Sequence, residues 1–264
     1  MSRARAVTLL IAVTATAGAC GRGERVPSHG VPVTLKPAVP DSVSATWHPG
    51  FPAYIFRFEE VFDTATDVTG LALRIERSGL PDRQVSVPGG LVPITDAVGD
   101  SFSTADNLVR SRYLYLTARL RGAGNTPMLL VFGQAFASDP GSLVVLALNS
   151  SGQPVEVLRH ATFEPTALED LDGDGVPELI GKRSLSQTWG KCFTTYDPYA
   201  VYRLTGTAQP HAVYDIALSR AYNLAHYAGW AGPNGSEAYA VVTCGGGRPR
   251  VMSTKEATRR FGGP

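Results

Sequence analysis

The chain has 264 residues, of which 44% are hydrophobic, and this is enough for one sizeable core or two small ones. The chain contains 28 glycines and 19 prolines. This combined content is typical of a packed domain rich in turns and is too low for a disordered chain. The formal net charge is only +1. Phosphate binding needs a clear cationic excess or patch, so the composition predicts no nucleic-acid partner.

The first 20 residues divide into a charged, an apolar and a small-residue segment. A positive segment, residues 1–5, precedes a short apolar run over residues 6–17 that cannot span a bilayer as a helix. Ala17-Gly18-Ala19 then precedes Cys20 and resembles the lipobox of bacterial lipoproteins, although Ala17 stands where that family favours leucine. The resemblance implies a signal peptide over residues 1–19, cleavage before Cys20 and lipidation of that cysteine. The tripeptide also fits ordinary signal peptidase, and both interpretations predict export.

The segment after Cys20 is dense in proline, with prolines at 27, 32, 37, 40 and 49. This spacing blocks a helix or a central strand and favours an extended, semi-rigid spacer. We therefore predict a lipidated, proline-rich tether over residues 20–50 and a folded, β-rich domain over residues 51–264. The expected location is the cell envelope, with the protein held on a membrane by its lipid and facing the periplasm or the exterior.

From residue 52 onward, short runs rich in β-branched and aromatic residues alternate with turn formers. They predict strands over residues 53–58, 71–76, 113–120, 128–132, 143–148, 155–160, 179–182, 200–204 and 238–243. Asn149 to Gly152 predicts a hairpin turn, with a positive φ at Gly152. Leu218, Ala221, Tyr222 and Ala225 share one helical face, and a capping box at residues 253–256 predicts a second short helix. The fold class is therefore mainly β, built of short β-units or blades in a partial propeller-like or sandwich arrangement, with one or two short helices.

Two segments of the chain are similar to each other. In residues 119–132 and 170–181, two leucines, two glycines and a proline match once one residue is skipped. The acidic positions of the second segment are occupied in the first by Arg119, Arg121 and Ala123. A repeat of this spacing fits an array of small β-units, whereas a chance match of two glycine-rich turns would carry no such meaning.

The second of these segments concentrates four carboxylates in nine residues. Asp170, Asp172 and Asp174 stand at alternate positions, and Glu178 closes the segment. Such crowded charges repel one another unless a hard divalent cation, which prefers oxygen ligands, lies between them. The intervening glycines permit a tight curl, and the backbone carbonyl of Val176 would supply a further ligand. We therefore predict a Ca²⁺ site formed by these five residues; the alternative is a solvated acidic turn.

This loop is not an EF-hand, because position 12 of the segment is Gly181 instead of glutamate. The nine-residue form resembles the calcium loops of FG-GAP and VCBS-type repeats, which occur in integrin-like propellers and in many bacterial envelope proteins. That resemblance implies a metal with a structural role in the turn between two strands of a blade. It covers about 30 residues, and a single intact copy is visible.

Cys192 and Cys244 are the cysteines that remain once Cys20 is lipidated. An oxidising compartment would allow them to form a disulfide, and the alternative is two buried free thiols. Neither cysteine has the spacing of a zinc site.

No catalytic motif is recognisable in the sequence, so we assign no catalytic residue and no bound organic cofactor. The leading hypothesis is a binding or scaffolding lipoprotein whose protein or glycan ligand is unknown. The alternative is an extracytoplasmic hydrolase of cell-wall or sugar polymers in which the calcium loop is a scaffold. The aromatic cluster formed by Trp189, Tyr196, Tyr199 and Tyr202 fits a ligand platform, although core packing is the commoner use of such rings.

Overall fold

The computed structural model describes residues 42–63, 68–94, 102–135, 141–183, 188–189, 193–196, 199–205, 210–226, 239–242 and 250–261. All of these residues lie within one compact unit, Val39–Pro264. Cys20, Cys192 and Cys244, on which the predictions of lipidation and of a disulfide rest, lie outside the described residues.

The predicted mainly β class is confirmed, since the described strands form four four-stranded antiparallel sheets. Sheet A consists of β1 (Ser42–Ala45), β2 (Tyr54–Asp63), β3 (Val68–Glu76) and β4 (Arg83–Val85), in that order. Sheet B consists of β5 (Leu114–Arg121), β6 (Pro127–Gly133), β7 (Ser142–Leu148) and β8 (Pro154–His160), also in order. Each of these two sheets is a continuous meander.

The strands of the other two sheets alternate in pairs along residues 164–253. Sheet C has the order β14 (His211–Tyr214), β13 (Tyr199–Thr205), β10 (Glu178–Lys182) and β9 (Glu164–Glu169). Sheet D has the order β11 (Thr188–Trp189), β12 (Phe193–Tyr196), β15 (Tyr239–Val242) and β16 (Arg250–Ser253). Two short helices, α1 (Ile216–His226) and α2 (Thr254–Phe261), complete the described elements.

Sheets A, B and C stack in layers, because sheet B buries apolar side chains on both of its faces. The core between sheets A and B contains, among others, Phe56, Ile75, Leu116 and Val131. The core between sheets B and C contains Tyr115, Leu130, Val145, Leu179 and Ala200. Alternate residues of β5, β6 and β7 therefore enter opposite cores, as the two-residue period of a strand requires.

Helix α1 covers the far side of sheet C with a face that matches the predicted one only in part. Tyr222 is buried and Leu218 packs beside it, as expected, whereas Ala221 and Ala225 are exposed. The other buried positions of the helix are Ser219 and Asn223. The helix is therefore held by polar side chains as well as by the small apolar cluster around Tyr222.

The folded domain begins before residue 50, where the sequence predicted the tether to end. Strand β1 pairs with β2, from Ser42 opposite Arg57 to Ala45 opposite Tyr54. Trp47 is 1% exposed, and its Nε1 donates a hydrogen bond to the carbonyl of Pro127 at 2.6 Å. An indole ring that is buried against sheet B belongs to the core, so this part of the proline-rich segment is part of the domain.

The predicted turn between β7 and β8 is confirmed. Gly152 has φ +76°, and its amide donates to the carbonyl of Asn149 at 2.9 Å. The side chain of Asn149 also accepts from the amides of Ser151 and Gln153, so this short loop satisfies its own backbone donors.

Candidate metal-binding loop and the adjacent cleft

The acidic segment is the connection between β9 and β10, at one end of sheet C. The two strands pair up to the base of the loop, where Glu169 lies opposite Glu178. Gly173 and Gly175 have φ values of +80° and +85°, which a residue with a Cβ reaches only at a cost. The curl that the sequence predicted from these glycines is therefore present.

The loop is folded by its own aspartates, because each carboxylate accepts backbone N–H groups that follow it. Asp170 accepts from the amides of Gly173 at 2.8 Å and Gly175 at 2.9 Å, one on each oxygen. Asp172 accepts from the amide of Asp174 at 3.1 Å. An ionised carboxylate oxygen has more than one lone pair, so these bonds leave acceptor capacity for a cation.

The structure brings the three aspartates together. One carboxylate oxygen from each of Asp170, Asp172 and Asp174 lies within 4.8 Å of the others, and all three residues are exposed. Three negative charges at such distances repel one another, and a hard divalent cation with oxygen ligands at about 2.3–2.6 Å fits between groups of this type. The donor set therefore suits calcium better than a soft metal, which prefers sulfur or nitrogen.

Glu178 is not part of this group of oxygens, although the sequence placed it among the ligands. Its side chain is buried, with 3% exposed, and its Oε2 accepts from the amide of Leu171 at 2.8 Å. Burial raises the pKa of Glu178, while the bond from Leu171 lowers it. In this geometry, Glu178 fastens the start of the loop to the start of β10.

Val176 was predicted to contribute its backbone carbonyl. The structure shows the other backbone group engaged: the amide of Val176 donates to Oδ1 of Asp174 at 2.7 Å. The side chain is 38% exposed and lies at the wall of a cleft, so it contributes little to the core.

A cationic side chain of the protein contacts the loop, and this contact was not predicted from the sequence. Nη2 of Arg203, on β13, lies 2.7 Å from Oδ2 of Asp172. Its Nε lies 2.8 Å from Oδ2 of Asp215, which precedes α1. Oδ1 of Asp215 accepts from the amide of Leu218 at 2.8 Å, so the acidic loop is linked through Arg203 to the first turn of the helix.

The similar segment at residues 119–132 occupies the equivalent place in sheet B. It contains the end of β5 and the turn to β6, just as the acidic segment connects the first two strands of sheet C in chain order. Both turns contain a positive φ, at Gly124 and Asn125 in one and at the two glycines in the other. The match thus relates two corresponding turns of neighbouring sheets.

A cleft of about 520 Å³ lies between these two turns. One wall contains Arg119, Arg121 and Asn125, and the other contains Asp170 and Val176. The cleft therefore joins the acidic loop to the arginines of the similar segment.

A second cleft, of about 330 Å³, contains the carboxylates of Asp82 and Glu156. A hydrolase that uses two carboxylates needs one of them protonated as a general acid. Glu156 instead accepts from Arg159 at 2.5 Å and lies 3.5 Å from Arg83, and the bond from Arg159 lowers its pKa. Its surroundings favour the ionised form, which suits an ion pair.

The described part of the aromatic cluster is used largely for packing. Tyr202 is buried in the core between sheets B and C. Its ring centroid lies 5.5 Å from that of Phe163 and 5.6 Å from that of Tyr214. Tyr199 packs edge-on against Tyr222 of α1, with ring centroids 5.1 Å apart. These contacts agree with the packing interpretation for both tyrosines.

Comparison of the chain with models of protein families, with curated proteins and with solved structures finds no match. Among the described residues, neither helix is long and apolar enough to cross a membrane.

Proposed function

We propose that the chain is a cell-envelope lipoprotein whose β-rich domain contains a structural calcium site and serves as a binding or scaffolding module. The observation that supports it best is the convergence of Asp170, Asp172 and Asp174, whose carboxylate oxygens lie within 4.8 Å of one another. The spacing of these residues and the resemblance to FG-GAP and VCBS-type loops support calcium as the ion.

A structural role for the ion follows from the position of the loop. The three aspartates connect two strands that are hydrogen-bonded to each other, and Glu178 fastens the loop at its base. An ion there would neutralise the repulsion and hold the connection between β9 and β10. The carboxylates of the three aspartates accept hydrogen bonds from backbone N–H groups, and these bonds orient the carboxylates. The ion would supply only positive charge.

The envelope location rests on the sequence of the first 20 residues, where an export signal leads to Cys20. It is consistent with the chemistry of the loop. Extracellular calcium modules bind their ion at about 10⁻⁴–10⁻³ M, a concentration that is found outside the cytosol. A lipid on Cys20 would hold the domain at the membrane surface.

Thermal unfolding of the purified chain with and without calcium tests the metal site. With about 10 mM calcium we expect a stabilisation of about 1.4–2.7 kcal/mol, which corresponds to an increase in Tm of about 3–10 °C. Asp174→Asn should abolish this increase, because it removes one charged ligand and keeps an oxygen for the amide of Val176.

The same variant gives an independent check in the absence of calcium. Asp174→Asn should then be at least as stable as the wild type, because it relieves the repulsion among the three aspartates. Asp82→Asn is the matched control, since Asp82 is an acid outside the loop, and it should keep the full response to calcium. A wild-type Tm that does not respond to calcium would contradict the metal site.

A further inference from the structure

The cleft beside the acidic loop has the dimensions of a ligand site. Its volume of about 520 Å³ is within the range for sites that bind small ligands, about 300–1,000 Å³. It lies between two equivalent turns, one acidic and one with arginines at the corresponding positions. The charges of the two walls are therefore opposite.

A bulge in β5 places the arginines at this cleft. The register with β6 passes from Thr117 opposite Met128 directly to Arg121 opposite Pro127. Residues 118–120 are thus left without partners on β6. A bulge of this kind bends a strand and redirects its side chains, and here Arg119 and Arg121 both line the cleft.

The two guanidinium groups differ in their availability. Arg119 is engaged, because its Nη2 donates to the carbonyl of Leu168 at 2.7 Å and its Nη1 lies 3.7 Å from Oδ2 of Asp106. Arg121 is exposed, and its Nε donates to the carbonyl of Ala118 at 2.7 Å, which orients the group. Within the described ranges, Arg121 forms no ion pair, so its terminal N–H groups can receive a carboxylate.

Asp170 faces the arginines across the cleft. Its carboxylate is at the opposite wall of the cleft, and it would repel an incoming carboxylate in the ion-free protein. A calcium ion bound by Asp170, Asp172 and Asp174 would neutralise two of the three negative charges of these carboxylates. Arg119 and Arg121 would then outweigh the remaining negative charge in the cleft, with the guanidinium of Arg121 and the side-chain amide of Asn125 as donors.

We propose that this cleft binds a glutamate or aspartate side chain of an acidic peptide segment, and that it does so only when the loop holds calcium. The inference rests on the calcium site proposed above. A peptide is favoured over an acidic sugar because the described residues that line the cleft include no aromatic ring on which a sugar could stack. Arg121 is the residue that contacts the carboxylate.

The test uses the purified full chain and an acetylated, amidated tripeptide Ala-Glu-Ala, observed by NMR during titration. The matched probe is Ala-Gln-Ala, which has the same shape without the charge. With millimolar calcium, the glutamate peptide should bind saturably and the glutamine peptide at least about tenfold more weakly. Replacing calcium by EGTA should weaken binding of the glutamate peptide by a similar factor.

Arg121→Gln should lose the affinity for the glutamate peptide and keep the calcium-dependent increase in Tm. Arg83→Gln, which removes an arginine outside the cleft, should bind the peptide as the wild type does. The proposal would be overturned if the two peptides bound equally well, or if Arg121→Gln bound the glutamate peptide as the wild type does. It would also be overturned if binding persisted in EGTA, or if the protein preferred trigalacturonate to the peptide. Absence of any calcium effect on Tm would instead identify a failure of the metal site itself.

Discussion

Arg203 places a fixed positive charge on the acidic loop. Its guanidinium is shared between Asp172, at 2.7 Å, and Asp215, at 2.8 Å. A calcium ion that used the same Asp172 oxygen would have to approach this cation, so the two positive charges compete for one carboxylate. Arg203 would thereby reduce the affinity of the proposed site for calcium, and it holds Asp172 in place in the ion-free chain.

We therefore expect Arg203→Met to bind calcium more tightly than the wild type, by about fivefold. The reason is the loss of a like charge a few ångströms from the ion and the release of an oxygen of Asp172. Calcium titration by calorimetry measures the change. Arg220→Met, which removes an exposed arginine from α1, should leave the affinity unchanged; weaker binding by Arg203→Met would show that orientation of Asp172 outweighs repulsion.

The aspartates of the loop could be predicted from the sequence, and their neighbours could not. Alternating carboxylates with intervening glycines are a local pattern, so the sequence contains all the information needed to expect Asp170, Asp172 and Asp174 to converge. Arg203 lies on a different strand, and only the pairing of β13 with β10 brings it to the loop. The burial of Glu178 could not be predicted for a related reason: it depends on the packing of sheet C.

At the scale of elements, α1 continues the hydrogen bonding of sheet C with side chains. Beyond the end of β14, the amide of Val201 donates to Oγ of Ser219 at 2.9 Å. Asn223 accepts from the amide of Tyr199 at 2.9 Å and donates to its carbonyl at 2.8 Å. The amide side chain thus imitates a neighbouring strand, which explains why polar residues of the helix are buried.

Asn223→Ala should lower the free energy of unfolding by about 2–3 kcal/mol, because it leaves a backbone donor and acceptor of β13 without their partner. Urea unfolding measures this loss. Leu224→Ala is the matched control on the same helix, where the side chain is 50% exposed, and it should change stability by no more than about 0.5 kcal/mol. Similar effects of both substitutions would mean that α1 is held only by apolar contacts.

The strands that could be predicted from the sequence are those whose own residues are rich in β-branched and aromatic side chains. Strands β2, β3, β5 to β8, β10, β13 and β15 are of this kind, and all were found near the predicted positions. The other described strands were missed: β1, β4, β9, β11, β12, β14 and β16. All of them except β12 lie at the edge of a sheet. An edge strand gains its conformation from its single neighbour, so its own residues carry a weaker signal. The helical face was predicted only in part, because apolar spacing identifies Leu218 and Tyr222 but not the polar side chains that bond to a strand.

At the scale of the whole molecule, sheet B is the most protected layer. It lies between the two largest cores, and its inner strands β6 and β7 also have hydrogen-bonded neighbours on both sides. Every residue of β7 is buried. Opening these strands requires separation of two interfaces at once, so the free energy of opening should approach that of global unfolding.

Native-state hydrogen exchange should therefore be slowest for the amides of β6 and β7. The amides of β1, β4 and β14, which are edge strands, should exchange faster by orders of magnitude, because they open without disturbing both cores. Peptide-level mass spectrometry resolves the difference. Equal protection of β7 and β14 would argue for a single cooperative unit without this gradient.

The chain leaves sheet C after β10, starts sheet D, returns for β13, β14 and α1, and only then adds β15 and β16 to sheet D. A premature stop codon or a proteolytic cut after α1 would consequently do more than remove a tail. It would remove β15, which pairs with β12 where Phe193 lies opposite Val242. The backbone N–H and C=O groups of β12 would then be unpaired, and truncated copies could polymerise through this exposed edge.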